Sequence, residues 1–330
     1  MFQECENLEY EETSNTESHC NKKKPLLVPC DIALLPTRNL ILVTEPSLNR
    51  IGIYNADDLQ FRDWCNHPFI YGQKRSKFVH PTNILCSKED FVFIIEKEQI
   101  LILDTNLRPH QPPIKGEFTG LVQDNQGDVY TLYQDLKGRT YVKSLRLDTD
   151  PRKREIYGKQ MFWWAEEFQL SVVETFSEWN SHSKCRFLTS RGTKLYITDV
   201  GLSKVYILDI KTNTQSAFGY MGDKECQLKG PTGILPDERG NLLICDSEND
   251  WLVVYNQTGK FIKVVESQPK YCNPYGLLRH CDTVVVVYQG RGSLGLADIV
   301  RYRTRQLEAE DRNGGDFIEM AKKDQKLCEK

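Results

Sequence analysis

The chain has 330 residues, of which 39% are hydrophobic, enough for one large core or two ordinary ones. Its net charge of −3 excludes a globally basic nucleic-acid binder, and no apolar run approaches the roughly 20 residues that a spanning helix requires. The start MFQECENLEYEETSNTESHC is acidic and polar, without the basic and then apolar pattern of a secretion signal, so the expected compartment is cytosolic or nuclear.

Residues 1–24 are acidic and then basic at Lys22, Lys23 and Lys24, which predicts a disordered tail. From Pro29 the chain falls into a recurring unit: a short P-x-G-[ILV] segment, a polar turn, a strand, another turn and a further strand. Six copies begin at Pro29, Pro81, Phe118, Cys185, Pro231 and Pro274. Their β-branched and aromatic runs, such as LILVTE, FVFIIE, KLYITD and TVVVVY, are split by Asp, Asn, Gly or Ser turns, the pattern of antiparallel hairpins. A unit of about 40 residues with four short strands is a propeller blade, and six around an axis bury faces that none could bury alone. The expected fold is therefore all-β, a six-bladed β-propeller over residues 25–305, with KKPLLVP (23–29) as the strand that closes the ring.

Between the third and fourth units lies extra length, residues 151–184. Its Phe162, Trp163 and Trp164 are too apolar for a free linker. They either pack onto the propeller or present a hydrophobic patch to a partner, and both alternatives stand. Residues 306–330 are charged with few apolar positions and read as a second tail.

One motif points elsewhere. Gly290, Gly292 and Gly295 form G-x-G-x-x-G directly after TVVVVY, as in a dinucleotide-binding loop. The stretch occupies the place where the other units carry TEPSLNR, YQDLKGR, TDVGLSK and CDSENDW, so it reads as the sixth copy of a hairpin turn. The 11 cysteines are odd in number and scattered, with no C-x-x-C pair, so free thiols are expected and a structural zinc is not.

The fifth unit, PTGILPDERGNLLICDSENDWLVVYNQTGKFI, resembles the NHL repeat at Pro231, Gly233, Ile234, Asp237, Gly240, Asn241, Asp246, Ser247, Gly259 and Phe261. The fourth unit matches at Asp199 and Gly201, and the first has Glu45 in place of the aspartate but keeps Arg50. The resemblance implies a domain that binds protein partners or single-stranded RNA on one face, as in tripartite-motif ubiquitin ligases. The chain carries no RING or B-box array, so the implied role is that of a scaffold or of the substrate-recognition part of a ligase.

In a propeller, the turns after each second strand and the links into each first strand share one face. Here they contribute Arg50, Lys74, Arg75, Lys77, Lys137, Arg139, Lys184, Arg186, Lys204, Lys270 and Arg291, with Trp251 and Tyr271 nearby. Set against Asp135, Asp199, Asp246, Glu248 and Asp250, with Lys97 between Glu96 and Glu98, the expected balance is positive by roughly five charges, suited to an anionic partner. The first-strand runs DIALL, TNILC, TGLVQ, RFLTS, TGILP and YGLLR bring no ring of acids together, and His80 and His280 fall at opposite ends of the channel. No catalytic metal, cofactor, small-molecule substrate or membrane contact is expected.

Overall fold

The computed structural model describes residues 10–11, 26–66, 77–135, 139–148, 159–169, 183–265, 271–290 and 297–303. They form six four-stranded antiparallel sheets. Blade one holds β2 (Ile32–Leu35), β3 (Leu40–Glu45), β4 (Arg50–Asn55) and β5 (Phe61–Cys65). Blade two holds β6 (Asn83–Cys86), β7 (Val92–Glu96), β8 (Gln99–Leu103) and β9 (Ile114–Lys115). Blade three holds β10 (Phe118–Gln123), β11 (Val129–Gln134), β12 (Thr140–Leu147) and β13 (Phe162–Gln169). Blade four holds β14 (Cys185–Arg191), β15 (Lys194–Asp199), β16 (Lys204–Asp209) and β17 (Thr214–Phe218). Blade five holds β18 (Pro231–Pro236), β19 (Leu242–Asp246), β20 (Trp251–Tyr255) and β21 (Phe261–Val265). Blade six holds β22 (Pro274–His280), β23 (Thr283–Tyr288), β24 (Asp298–Arg303) and, from the other end of the chain, β1 (Tyr10–Glu11). Each first strand packs on that of the next blade, and β22 packs on β2, so the sheets close into the six-bladed propeller that the repeat predicts.

The second strands read as unbroken apolar runs because a blade has a neighbour on each side, so both faces are dry. In β23, Val284 and Val286 join the layer shared with blade five, while Val285 and Val287 join Ile41 and Val43 in the layer shared with blade one. Alternate residues of one strand thus serve two cores. Each such side chain withdrawn from water contributes roughly 1.5–3 kcal/mol.

The recurring glycine of P-x-G-[ILV] has a cause in the ring. A Cβ on Gly233 would lie 2.5 Å from the Tyr275 carbonyl oxygen of the next blade, and one on Gly120 would lie 2.8 Å from that of Arg186. At these two positions the first strands approach so closely that no side chain fits. Blade one carries Asp31 at this position, and its Oδ2 accepts from Ile84 N (3.1 Å) and Asn83 Nδ2 (3.2 Å) of blade two. A carboxylate here replaces close backbone packing with hydrogen bonds.

Two sequence expectations change. The ring closes through Tyr10–Glu11, which pairs with Tyr302 and Arg301, not through residues 23–29, whose described part is irregular. Prolines flank that stretch at Pro25 and Pro29, which disfavours a ladder strand. Part of the extra length before the fourth unit also belongs to a blade: Phe162–Gln169 is the fourth strand of blade three, paired with β12. The glycine motif is settled by topology, since β23 and β24 are antiparallel neighbours and no parallel β-α-β unit exists there. Gly292 and Gly295 lie outside the described residues, as do residues 12–25 and 304–330.

Candidate functional site

The face expected to bind is built by turns after the second strands. In blades one, four and five the last turn residue, Asn49, Ser203 or Asp250, takes a left-handed φ of 53°, 53° or 63°. Short polar side chains tolerate that conformation. Beneath each turn, the second strand ends on a buried acid: Glu45, Glu96, Asp199 and Asp246. Each accepts a backbone N–H from the link into its own blade: Leu27, Val79 (3.3 Å), Lys184 (2.9 Å) and Lys229 (2.5 Å) respectively. Burial pushes the Asp246 carboxyl up from 3.8 to about 6 and raises that of Glu96 as well. The aspartate of the repeat is therefore a clamp that fixes the link, and Glu45 performs the same role one methylene longer.

This redraws the charge tally. Asp199 and Asp246 lie under the face, not on it. Arg50 leaves the surface too: it is buried, its Nε is 2.5 Å from Glu45 Oε2, and its guanidinium carbon sits 3.3 Å from the Trp64 ring centroid. Glu45 ends β3 where β4 begins, so the hairpin register places the pair together under Trp64. Tyr271 is buried with its ring 5.2 Å from that of Tyr288. Trp251 is half-buried against the layer between blades four and five, and Lys204 is half-buried at the start of β16. Arg139 is exposed but bonded to Asp135 (2.7 Å). Lys77 is exposed. Lys74, Arg75, Lys137 and Arg291 lie outside the described residues.

The second position of each unit is Cys30, Thr82, Thr119, Arg186, Thr232 or Tyr275, and of these Thr82, Thr119 and Arg186 line one depression at the mouth of the ring. Thr119 donates to Cys185 O (2.8 Å) and Thr232 to Pro274 O (3.3 Å), each tying its blade to the next. Arg186 is exposed, and burial pushes the Tyr275 hydroxyl up to about 12 while the nearby Arg186 charge opposes the shift. Burial, then the charge of Asp31, pushes the Cys30 thiol up to about 12, which favours the protonated thiol. A depression of about 360 Å³ opens beside the mouth, lined among others by His80, Asn83, Thr119, Tyr133, Lys184 and Arg186. His80 stands at this mouth and His280 at the far end of β22. Among the described residues, no group of three His, Cys, Asp or Glu side chains is arranged to hold a metal ion. The sequence signal for the mouth was the second position of the repeat, which no motif marks.

The outer rim carries a second surface. In β13, Phe162 is buried, with its ring 4.9 Å from Phe93 and 5.2 Å from Phe91, whereas Trp163 and Trp164 are 41% and 44% exposed. The expected patch of three is thus divided. Trp164 stands opposite Leu145, whose face meets blade two, while Trp163 stands opposite Arg146 on the other face. Trp164 lies 5.6 Å from the Phe118 ring, with Lys143 Nζ 5.4 Å from its centroid. Blade two leaves this flank open because its fourth strand has only two residues, where Pro109, Pro112 and Pro113 interrupt the ladder. The same prolines border a cleft of about 440 Å³ lined also by Val79, Leu101 and Leu103.

No protein-family model matches the chain, and no curated protein matches it. Solved structures do. A streptogramin B lyase matches at 15% identity over 87% of this chain and 86% of that one, with a TM-score of 0.53. A luciferin-regenerating enzyme matches at 12% identity over 85% and 94%, TM-score 0.55. Regucalcin from Agrobacterium tumefaciens, described as a calcium-binding protein, matches at 12% identity over 86% and 94%, TM-score 0.56. At these identities the likeness is one of fold, and the fold is a six-bladed propeller shared by proteins of different function.

Proposed function

We propose that the chain is a non-catalytic recognition module that binds protein partners through the outer rim of its second and third blades. The observation that carries this reading is the exposure of Trp163 and Trp164 on a strand anchored by buried Phe162. Tryptophan is the residue most enriched among interface hot spots, and a rigid strand presents it without ordering cost. The NHL resemblance of residues 231–261 supports the narrower role of a scaffold or of the substrate-recognition part of a ubiquitin ligase. The test is crosslinking mass spectrometry in cells with the parent chain and a Trp163→Ser/Trp164→Ser variant of equal abundance. Loss of a discrete set of crosslinked proteins is expected, and an unchanged set defeats the reading.

A second reading, binding of single-stranded RNA at the channel mouth, is favoured by Lys184, Arg186 and Tyr133 around one depression. UV crosslinking in cells with labelling of the bound nucleic acid tests it. A signal that weakens on Lys184→Glu/Arg186→Glu supports it, and salt-insensitive binding counts against it.

A further inference from the structure

We infer that the cleft over the interrupted fourth strand of blade two receives an extended peptide of a protein partner, in which an apolar side chain is flanked on both sides by carboxylates. This rests on the recognition reading above and names the chemistry of the segment recognised.

The cleft exists because prolines cannot donate to a ladder. β9 pairs only with Gln99 and Ile100 of β8, after which the chain bows outward through Pro113 and Pro112. It returns where His110 N donates to Ile102 O (2.8 Å) and Pro109 bridges Leu103. The bowed strap is held from blade three: Gln111 Oε1 accepts from Phe162 N (2.8 Å), and a His110 ring nitrogen lies 2.7 Å from Gln160 O. A strap tied at both ends keeps the cleft open without a ligand, so binding requires little reorganisation.

Its chemistry is specific. The floor is Leu101 and Leu103, both buried, with proline rings as one wall. Val79 is 52% exposed, a large aliphatic side chain facing water at the rim. Lys77 stands on the link into blade two and Lys159 just before β13, both exposed and both lining the cleft. The acid among the lining residues, Glu96, is buried, with one oxygen accepting from Val79 N (3.3 Å) and the other from Gln99 Nε2 (3.0 Å). The rim charge is therefore positive from two separate elements, above an apolar floor. Lys159 Nζ already donates to the His110 carbonyl of the strap, so a carboxylate there adds counter-charge to a positioned ammonium; an acidic, apolar, acidic segment of extended chain pairs with both lysines and fills the socket.

The test uses the full chain and a fluorescein-labelled decapeptide with Leu and Phe at its centre and Asp or Glu at every other position, read by fluorescence anisotropy. Two controls carry the same Leu-Phe pair flanked by Lys, and the same acids around an Ala pair. Binding of the first peptide alone is expected, with Kd rising about tenfold or more in Lys77→Glu/Lys159→Glu and again in Val79→Glu. All three side chains are exposed, so the variants should fold, which circular dichroism checks. Equal binding of the three peptides, or affinity unchanged by the substitutions, overturns the assignment of the cleft. Failure here is separable from failure of the recognition reading. Crosslinked partners lost from the Trp163→Ser/Trp164→Ser variant but retained by Lys77→Glu/Lys159→Glu leave recognition standing and remove the cleft.

Discussion

Replacing Arg50 with methionine separates a structural arginine from a binding one. Glu45 is fully buried, and its side chain is met by the Arg50 guanidinium at 2.5 Å and the Leu27 N–H. The shorter, uncharged thioether would fill similar volume under Trp64 but leave a buried carboxylate without its counter-charge. Removing one partner of a buried ion pair costs roughly 3–5 kcal/mol. Loss of the stacking on Trp64 adds about 1 kcal/mol. With a urea m-value of about 3 kcal/mol/M, the low end of that range alone moves the unfolding midpoint down by about 1 M. The double variant Glu45→Gln/Arg50→Met keeps an acceptor for Leu27 N without the charge, and it should be more stable than Arg50→Met alone. The assay is urea unfolding followed by circular dichroism for the parent, both single variants and the double, so that the cycle isolates the coupling. Were Arg50 a solvated binding residue, its loss would change stability by no more than about 0.5 kcal/mol. An unmoved midpoint, or a double variant weaker than Arg50→Met, would refute the buried-pair argument.

Three further outcomes are expected. Phe162→Ala should cost about 3–5 kcal/mol in thermal unfolding, since the ring is 2% exposed between Phe91 and Phe93, whereas Trp164→Ala should cost less than Phe162→Ala; equal losses would show that β13 is not divided into anchor and display positions. Gly233→Ala places a methyl 2.5 Å from the Tyr275 carbonyl oxygen and should cost about 1–3 kcal/mol by forcing two first strands apart, and an unchanged melting temperature would mean that the axis is looser than described. Burial lifts the Asp31 carboxyl from 3.8 to about 6, so the folded state holds this proton more tightly than the unfolded chain does. The sign follows: its contribution is most favourable below pH 4 and is lost as pH rises through about 6, a change of about 3 kcal/mol. Asp31→Asn should therefore gain stability relative to the parent between pH 4 and 7, measured by urea midpoints across that range, and a pH-independent difference would contradict the burial argument.

The repeat, the blade count and the hairpin turns were legible from residues alone because they depend on local rules: polar turns, β-branched strands and the recurrence of one short pattern. The buried pairing of Glu45 with Arg50 was half visible, since both sit at matching repeat positions, but a sequence spaces charges without saying which are dry. Blades packed on both sides decided that, and they withdrew Arg50, Tyr271, Asp199 and Asp246 from the surface on which the sequence had placed them. Phe162, Trp163 and Trp164 show the limit most plainly. Composition identified an apolar segment that must either pack or bind, and the strand does both: Phe162 and Trp164 share the side facing blade two, where Phe162 is covered by Phe93 and Trp164 is left half-open beyond the short β9, while Trp163 turns to the other side. Whether a side chain near a turn is a contact or a strut depends on what lies against it from distant parts of the chain, and closure of the ring supplies those neighbours.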